Sequence, residues 1–522
     1  MEPTPPATDG HPAPDTFTSN SVRCDAYADS VALMRAAQHL TGLPGITAAS
    51  LVMATEPNLR LLDDAQLLTD EGRAARPADL IVALRGTADA IEHALAEVPA
   101  LLEQPAASES SEPDAWVPRA LGEADPATAL ALISTPGPYA AAEALKALRG
   151  GMHAFVFSDN VPVDQEIRIK EEAHRLGLLA MGPDCGTAVL DGVPVGFANA
   201  LRPGRVGLIG ASGTGLQQVS CLLDAAGEGV RQMIGTGGRD LSAEVGARTT
   251  LDALDLLAAD PGCELIVLVS KPPAPDVAER VVERAGRAGK PVVAAFLGTE
   301  RPRTVGSVTV VGTLRDAARE ALRTLGGAPA PSWTPPTVPP GPGRYLRALY
   351  AGGTFAYEAR QLRPDAATEA DPYVPDHAID LPERHLVLDL GDDAYTAGRP
   401  HPMIDPTVRA AHLRAALTDP HTAAVVLDVV LGHGAGPDPA EALAAELEDV
   451  GDRRRPPVIA FVVGTEGDPQ NVDAVRARLE KAGAVMAPTS TDAAEWAVSL
   501  LTQPGQPHRK AGELAAQGRA GR

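Results

Sequence analysis

This chain contains one α/β unit written twice. Ile209-Gly210-Ala211-Ser212-Gly213-Thr214-Gly215 ends an apolar run and opens a helix-like stretch, and Leu349-Tyr350-Ala351-Gly352-Gly353-Thr354 does the same later. Each is followed by an apolar run that ends in glycine with acids close by, Ile234-Gly235-Thr236-Gly237-Gly238-Arg239-Asp240 and Leu388-Asp389-Leu390-Gly391-Asp392-Asp393. An Asp-Pro step then precedes a strand-like run, Asp260-Pro261 in the first copy and Asp419-Pro420 in the second. Each copy closes on nearly the same phrase, PVVAAFLGTE at 291–300 and PVIAFVVGTE at 457–466. Four matches in one order make chance a poor explanation. The repeat predicts two parallel α/β domains with one strand order, related by an approximate twofold, whose glycine-rich turns aim two helix N-termini at a single anion.

Glycines at a strand-to-helix turn let backbone N–H groups approach an oxyanion, and a helix N-terminus adds about half a positive charge. Ser212, Gly213 and Thr214 in the first copy, with Gly352, Gly353 and Thr354 in the second, are therefore the candidate phosphate-binding residues; Gly237, Gly238 and Gly391 are expected at the walls. The same turns also suit tight connections without a ligand. Lys271 ends a buried strand-like run, where open α/β sheets place ligands, although a solvated loop lysine is the plain reading. The proline-stiffened loop Gly398-Arg399-Pro400-His401-Pro402-Met403-Ile404-Asp405 holds a cation and an imidazole. Arg399 suits a bidentate contact with an anionic group, and His401 suits a hydrogen bond to a carbonyl or proton transfer near neutral pH. Lys271, Arg399 and His401 are thus the catalytic candidates, with a purely structural loop as the alternative. Asp389, Asp392 and Asp393 fit a magnesium ion, neutralisation of Arg399, or simple loop polarity. Gly182-Pro183-Asp184-Cys185-Gly186-Thr187 puts Asp184 and Cys185 on a turn after a strand; no histidine stands beside the thiol, which weakens a nucleophilic role.

Of the 522 residues 44% are hydrophobic but only 3% aromatic, a mix that suits parallel sheets covered by helices. A net charge of −23 argues against a nucleic-acid partner. The four cysteines show no CxxC spacing, so neither a disulfide framework nor a metal site is indicated. There is no secretory leader pattern or 18-residue apolar span, which predicts a cytoplasmic protein with no membrane partner. Punctuation along the chain sets the expected boundaries: 1–20 disordered, 21–102 a small α+β domain, 103–118 a linker, 119–202 a Rossmann-like unit, 203–326 and 344–503 the two repeats, 327–343 a proline-rich connector, and 504–522 a tail.

The ordered motifs GPDCGT, GASGTG, GTGGRDLS, SKPP, AGGTFAYEA and DLGDDAYTAGRPHPMIDP resemble the FdrA family. That family in turn is similar to succinyl-CoA synthetase. The resemblance implies an α/β chain with a CoA-binding-type Rossmann domain, two flavodoxin-like domains and a small α+β N-terminal domain. In those ligases the two flavodoxin-like helix N-termini hold a phosphate carried by a histidine. Two departures alter the chemistry expected here. The strand at 291–298 runs into TERPRTVGSVTVVG, which lacks the family's Gly-His-Ala-Gly segment, and about 100 residues before the Rossmann-like unit leave no room for an ATP-grasp domain. The resemblance then implies a subunit of an oxamate carbamoyltransferase, made with companion subunits and acting in allantoin breakdown, that turns oxalurate and phosphate into oxamate and carbamoyl phosphate. Phosphate or an acyl phosphate would be a substrate, with CoA an open possibility at Asp184 and Cys185. An acid–CoA ligase, a noncatalytic scaffold and a homo-oligomer stay open.

Overall fold

A computed structural model describes residues 16–26, 28, 30–103, 120–327, 333–371, 373, 378–396, 400–450 and 455–501. The expected linker beyond Glu103, the tail and Arg399 with its neighbour Gly398 lie outside the described residues. Among the described residues no helix is long and apolar enough to cross a membrane. The chain divides into two compact units, an N-terminal one and a second that holds the Rossmann-like unit and both repeats.

The N-terminal unit is a three-stranded antiparallel sheet in the order β1-β3-β2, with β1 Phe17–Arg23, β2 Ile46–Met53 and β3 Leu80–Gly86. Side chains alternate along β3. Leu80, Val82 and Leu84 pack with Leu33, Ala37 and Leu40 of α1 (Ser30–Thr41) and with Ile91, Ala94 and Val98 of α4 (Ala88–Glu103). Ile81 and Ala83 face the other way and cluster with Leu62 of α2 (Glu56–Asp64) and with Leu67, which precedes α3 (Asp70–Arg73). Phe17 to Asn20 pair with Gly86 to Ala83, so four residues expected to be disordered are part of the sheet. Their polarity does not prevent this because it is satisfied: buried Asn20 donates to the Leu67 carbonyl at 2.7 Å and accepts from the Thr69 N–H at 2.7 Å.

In the second unit, β4 (Leu130–Ile133), β5 (His153–Val156) and β6 (Ala180–Met181) form a parallel sheet in sequential order, connected by α5 (Gly137–Arg149) and α6 (Val163–Leu176). The hairpin that follows, β7 (Thr187–Leu190) and β8 (Val193–Gly196), leaves this sheet and pairs antiparallel with β10 of the first repeat. The expected boundary near residue 202 therefore cuts through a sheet that already includes 187–196.

The first repeat runs β9 (Pro203–Gly210), α7 (Gly213–Ala225), β10 (Val230–Gly235), α8 (Arg248–Ala259), β11 (Leu265–Ser270), α9 (Pro275–Ala285), β12 (Val292–Phe296), β13 (Arg303–Val305), β14 (Val308–Val311) and α10 (Leu314–Thr324). The second runs β15 (Tyr345–Tyr350), α11 (Gly353–Leu362), β16 (Leu386–Asp389), α12 (Asp393–Thr396), α13 (Thr407–Thr418), β17 (Thr422–Val430), α14 (Glu441–Val450), β18 (Val458–Val463), α15 (Val472–Lys481), β19 (Val485–Met486) and α16 (Ser490–Leu500). The parallel strands lie in the order β10-β9-β11-β12-β14 in one and β16-β15-β17-β18-β19 in the other. Both are the flavodoxin-like order two-one-three-four-five, as the repeat requires. Strands β11 and β17 are buried at every residue, the pattern of sheets covered on both faces.

Polar locks join the repeats. Glu358 of α11 is buried and accepts from Ser490 Oγ at 2.6 Å, Thr491 Oγ1 at 2.8 Å and the Leu314 N–H at 3.0 Å. Asn199, just before β9, donates to Asp468 at 2.7 Å and to the Leu431 carbonyl at 3.0 Å. Such fully satisfied buried groups specify one arrangement of the two domains.

Candidate anion site at the paired helix N-termini

Each repeat places a helix directly after its first strand, at the carboxyl end of the sheet where the strand order reverses, and open α/β sheets bind ligands there. Helix α7 is capped by Ser212, whose Oγ accepts from the Gly215 N–H at 3.1 Å. Gly210 permits the turn, since a Cβ there would stand 2.7 Å from Leu216. Helix α11 begins after Gly352, which has no side chain to cap it. The two helix starts meet: the Ser212 and Thr354 hydroxyls share a short hydrogen bond, and a Cβ on Gly352 would lie 3.0 Å from Thr214 Cγ2. Ser212, Gly213, Thr214, Gly352, Gly353 and Thr354 are thus brought together.

The turn before α11 is fixed from below. Asp428, fully buried on β17, accepts from the N–H groups of Ala351 and Gly352 at 2.9 Å each. Arg409 of α13 pairs with it at 3.2 Å while only 3% exposed, and burial pulls the guanidinium below its ordinary value. Asp428 is held by these backbone and guanidinium partners and was not singled out from sequence, although an acid inside the apolar run AVVLDVV is a visible signal.

Carboxylates stand around this point. Asp389 Oδ1 accepts from the Gly391 N–H at 3.1 Å, and a Cβ on Gly353 would lie 2.2 Å from Oδ2. Burial raises the Asp389 carboxyl to about 6 against the pull of the Lys271 ammonium, and Asp392 adds to the rise. Asp184 has φ +55°, a left-handed conformation that Asp tolerates, and a Cβ on Gly238 would come within 3.3 Å of its Oδ2. Its carboxyl also rises to about 6, through burial first and then Asp159 and Asp393, with Arg239 and Lys271 opposing. Lys271 itself is exposed at the end of β11 and acts on both acids. Gly237 is a wall of the Asp184 turn, because a Cβ there would meet the Pro183 carbonyl at 2.3 Å. The loop bearing Gly237 and Gly238 is anchored by fully buried Lys170, which bonds Asp240 at 2.7 Å and the Thr236 carbonyl at 2.9 Å.

Two expected roles change. Cys185 is buried, and a Cβ on Gly235 would sit 2.5 Å from its sulfur. Burial pushes the thiol up to about 12, so it is a core residue rather than a CoA or substrate contact. His401 Nε2 lies against Gly391, its Nδ1 accepts from the Met403 N–H at 3.2 Å, and its ring centroid is 6.3 Å from that of Phe197. Burial, with Arg409 nearby, lowers its pKa to about 4, which leaves it neutral at pH 7. Proton shuttling near neutrality therefore gives way to packing that positions the Gly391 turn. The loop Gly432-His433-Gly434-Ala435-Gly436 after β17 was also missed; Gln470 ties it through Gly432 at 3.0 Å, and its glycine spacing was the available signal.

Fold and site together make the second repeat similar to a CoA-ligase domain. A CoA-ligase family model matches residues 349–500, and a model described as AllF, heavy metal-associated domain, matches 17–116. The uncharacterized protein YahF of Escherichia coli K12 is 37% identical over 494 residues, 90% of this chain and 96% of that one, and the chain belongs to its family. The alpha-2 subunit of the mitochondrial ADP-forming succinate–CoA ligase of Trichomonas vaginalis is 28% identical over 179 residues, 33% of this chain and 57% of that one. The corresponding alpha subunit of Methanothermobacter thermautotrophicus is 26% identical over 204 residues, 37% of this chain and 68% of that one.

The residues present do not fit a heavy metal in the N-terminal unit. Soft metals are held by several thiolates, and Cys24 is the one cysteine between residues 17 and 116. The Asp25 N–H beside it donates to Asp79 at 3.0 Å, His39 and His93 both pair with Glu97, and no metal-holding group of three acids, histidines or cysteines occurs among the described residues. The first βα turn of the Rossmann-like unit fits a CoA pyrophosphate no better. Pro136 and Pro138 lack N–H groups, so this turn has few amide donors for a pyrophosphate.

Proposed function

We propose that this chain is the phosphate-handling subunit of a carbamoyltransferase that works with companion subunits. Phosphate lies beside the Ser212–Thr354 contact, over the first amides of α7 and α11. One phosphate oxygen attacks the ureido carbonyl of an acid such as oxalurate. The carbon–nitrogen bond breaks, the departing nitrogen takes a proton, and carbamoyl phosphate and oxamate result. Lys271 holds the substrate carboxylate, and His401 keeps the Gly391 turn in place. The meeting of two repeat-related helix starts beside an exposed lysine is the observation that most supports this reading, because each contributes to holding anionic groups without a phosphohistidine.

A second reading, an acid–CoA ligase, is favoured by the CoA-ligase match over 349–500 and by the succinate–CoA ligase alpha subunits. The proline-flanked turn before α5 weighs against it. Incubating the chain and its co-purified partners with oxalurate and phosphate, with and without CoA and ATP, separates the two. Carbamoyl phosphate formed without CoA supports the first, and a thioester formed only with CoA supports the second.

A further inference from the structure

We propose that His433 is the proton carrier of the transfer reaction, giving one proton to the departing nitrogen and taking one from the attacking hydrogen phosphate. This rests on the carbamoyl-transfer reading above and assigns the step which that reading leaves without a residue.

Chemistry sets the need. Hydrogen phosphate enters with a proton that carbamoyl phosphate no longer carries, and the oxamate nitrogen leaves with one more hydrogen than it had in the ureido group. A phosphate oxygen bonds to the ureido carbon and the carbon–nitrogen bond breaks. Its electron pair goes to nitrogen, which takes the proton of an imidazolium. The neutral imidazole left behind accepts the phosphate proton, so the residue ends as it began and no further reactant is consumed. An imidazole is the side chain suited to both transfers near neutral pH.

Position separates the histidines of the second unit. His153, His385 and His421 stand at the amino ends of β5, β16 and β17, opposite the carboxyl ends where open α/β sheets bind ligands. His174 of α6 pairs with Asp252 at 2.7 Å, His412 is fully buried, and His401 is packed against Gly391 and neutral at pH 7. Among the described histidines of this unit that leaves His433, exposed just past the carboxyl end of β17. Its turn is held from three sides. Gly432 and Gly434 flank it at φ +118° and +84°, where a Cβ would lie 2.6 Å from the Ala198 carbonyl and 3.0 Å from the Phe197 ring. Gly432 bonds Gln470 through its N–H at 3.0 Å and its carbonyl at 2.9 Å. The His433 N–H donates to the Ala198 carbonyl and the Gly436 N–H to the Met403 carbonyl, each at 2.8 Å. The backbone is thus fixed while the imidazole stays exposed, as a preorganised proton carrier requires. The strip that His433 pairs with leads to the paired helix starts: the Phe197 carbonyl accepts from Thr187 Oγ1 at 2.8 Å, and a Cβ on Gly213 would stand 2.9 Å from that hydroxyl.

The test uses the full chain with its co-purified subunits. His433→Ala should lower kcat for carbamoyl phosphate formation by about 100- to 10,000-fold, with little change in the KM for oxalurate or phosphate. It should also flatten the pH–rate profile and regain part of its rate from added imidazole. A second readout needs no variant: oxalurate with phosphate should slow carbethoxylation of His433 by diethyl pyrocarbonate, read by mass spectrometry, and leave the exposed His421 unprotected. Full kcat in His433→Ala, a loss that keeps the wild-type pH profile and is not rescued by imidazole, or labelling of His433 unaffected by the two ligands overturns the proposal. A wild-type complex that forms no carbamoyl phosphate removes the transfer reading and this step with it, whereas an active wild type with an unimpaired variant removes this step alone.

Discussion

Replacing Asp428 with Asn tests how the α11 start is held. The carboxylate is fully buried, receives two backbone N–H bonds at 2.9 Å and faces a guanidinium only 3% exposed. Removing one partner of a buried pair typically costs about 3–5 kcal/mol, because the other charge is left without compensation. Asp428→Asn alone should therefore destabilise the second repeat by about that amount. Arg409→Met alone should cost less, since the two amides still serve the carboxylate. The double variant buries no charge and should be more stable than Asp428→Asn. Urea unfolding followed by tryptophan fluorescence suits the measurement, because Trp333 and Trp496 pack edge to face in this module with centroids 5.4 Å apart. With a slope of about 1–3 kcal/mol per molar urea, the Asp428→Asn midpoint should drop by more than about 1 M. If the double variant loses the sum of the two single losses, the charges are uncoupled and the reasoning fails.

Other outcomes follow from the same geometry. Thiol titration of the native chain should show Cys24 reacting promptly while Cys185, Cys221 and Cys263, all buried, react only on unfolding; a fast second thiol would contradict the packing. Asp184 and Asp389 both have folded pKa values near 6, above the usual 3.8. The folded state thus binds more protons between those values, so stability contributed by these groups should fall as pH rises from about 4 to 6 and level off above. The Asn variants should flatten that fall, as pH-dependent thermal unfolding would show. Lys271→Ala should weaken phosphate binding and raise both carboxyl pKa values, which isotope-edited infrared spectroscopy can follow; unchanged carboxyl bands would remove Lys271 from the site.

The architecture was readable because close backbone approach leaves a mark. Gly210, Gly352 and Gly353 stand where a Cβ would strike Leu216, Phe355 and Asp389, so the repeat survives as glycine even where other residues differ. What stayed hidden depends on partners far along the chain. Asp428 bonds the Ala351 N–H across 77 positions, and Lys170 reaches Asp240 across 70. Local composition shows an acid inside the apolar run around Asp428 but not the partner it meets. Burial misled in the same way. Cys185 and His401 sit in polar, turn-like segments that read as accessible, yet Gly235 and Gly391 let each pack tightly. Asn20 shows the reverse, a polar residue drawn into a sheet because its amide finds the Leu67 carbonyl and the Thr69 N–H.

The most direct measurement of the central claim is the formation of carbamoyl phosphate from oxalurate and inorganic phosphate by the chain with its co-purified subunits, followed by phosphorus NMR. The account predicts a carbamoyl phosphate signal that requires phosphate, is indifferent to CoA, and is strongly reduced by Lys271→Ala. A product that appears only when CoA is added, or a signal that persists at full strength in Lys271→Ala, would contradict it.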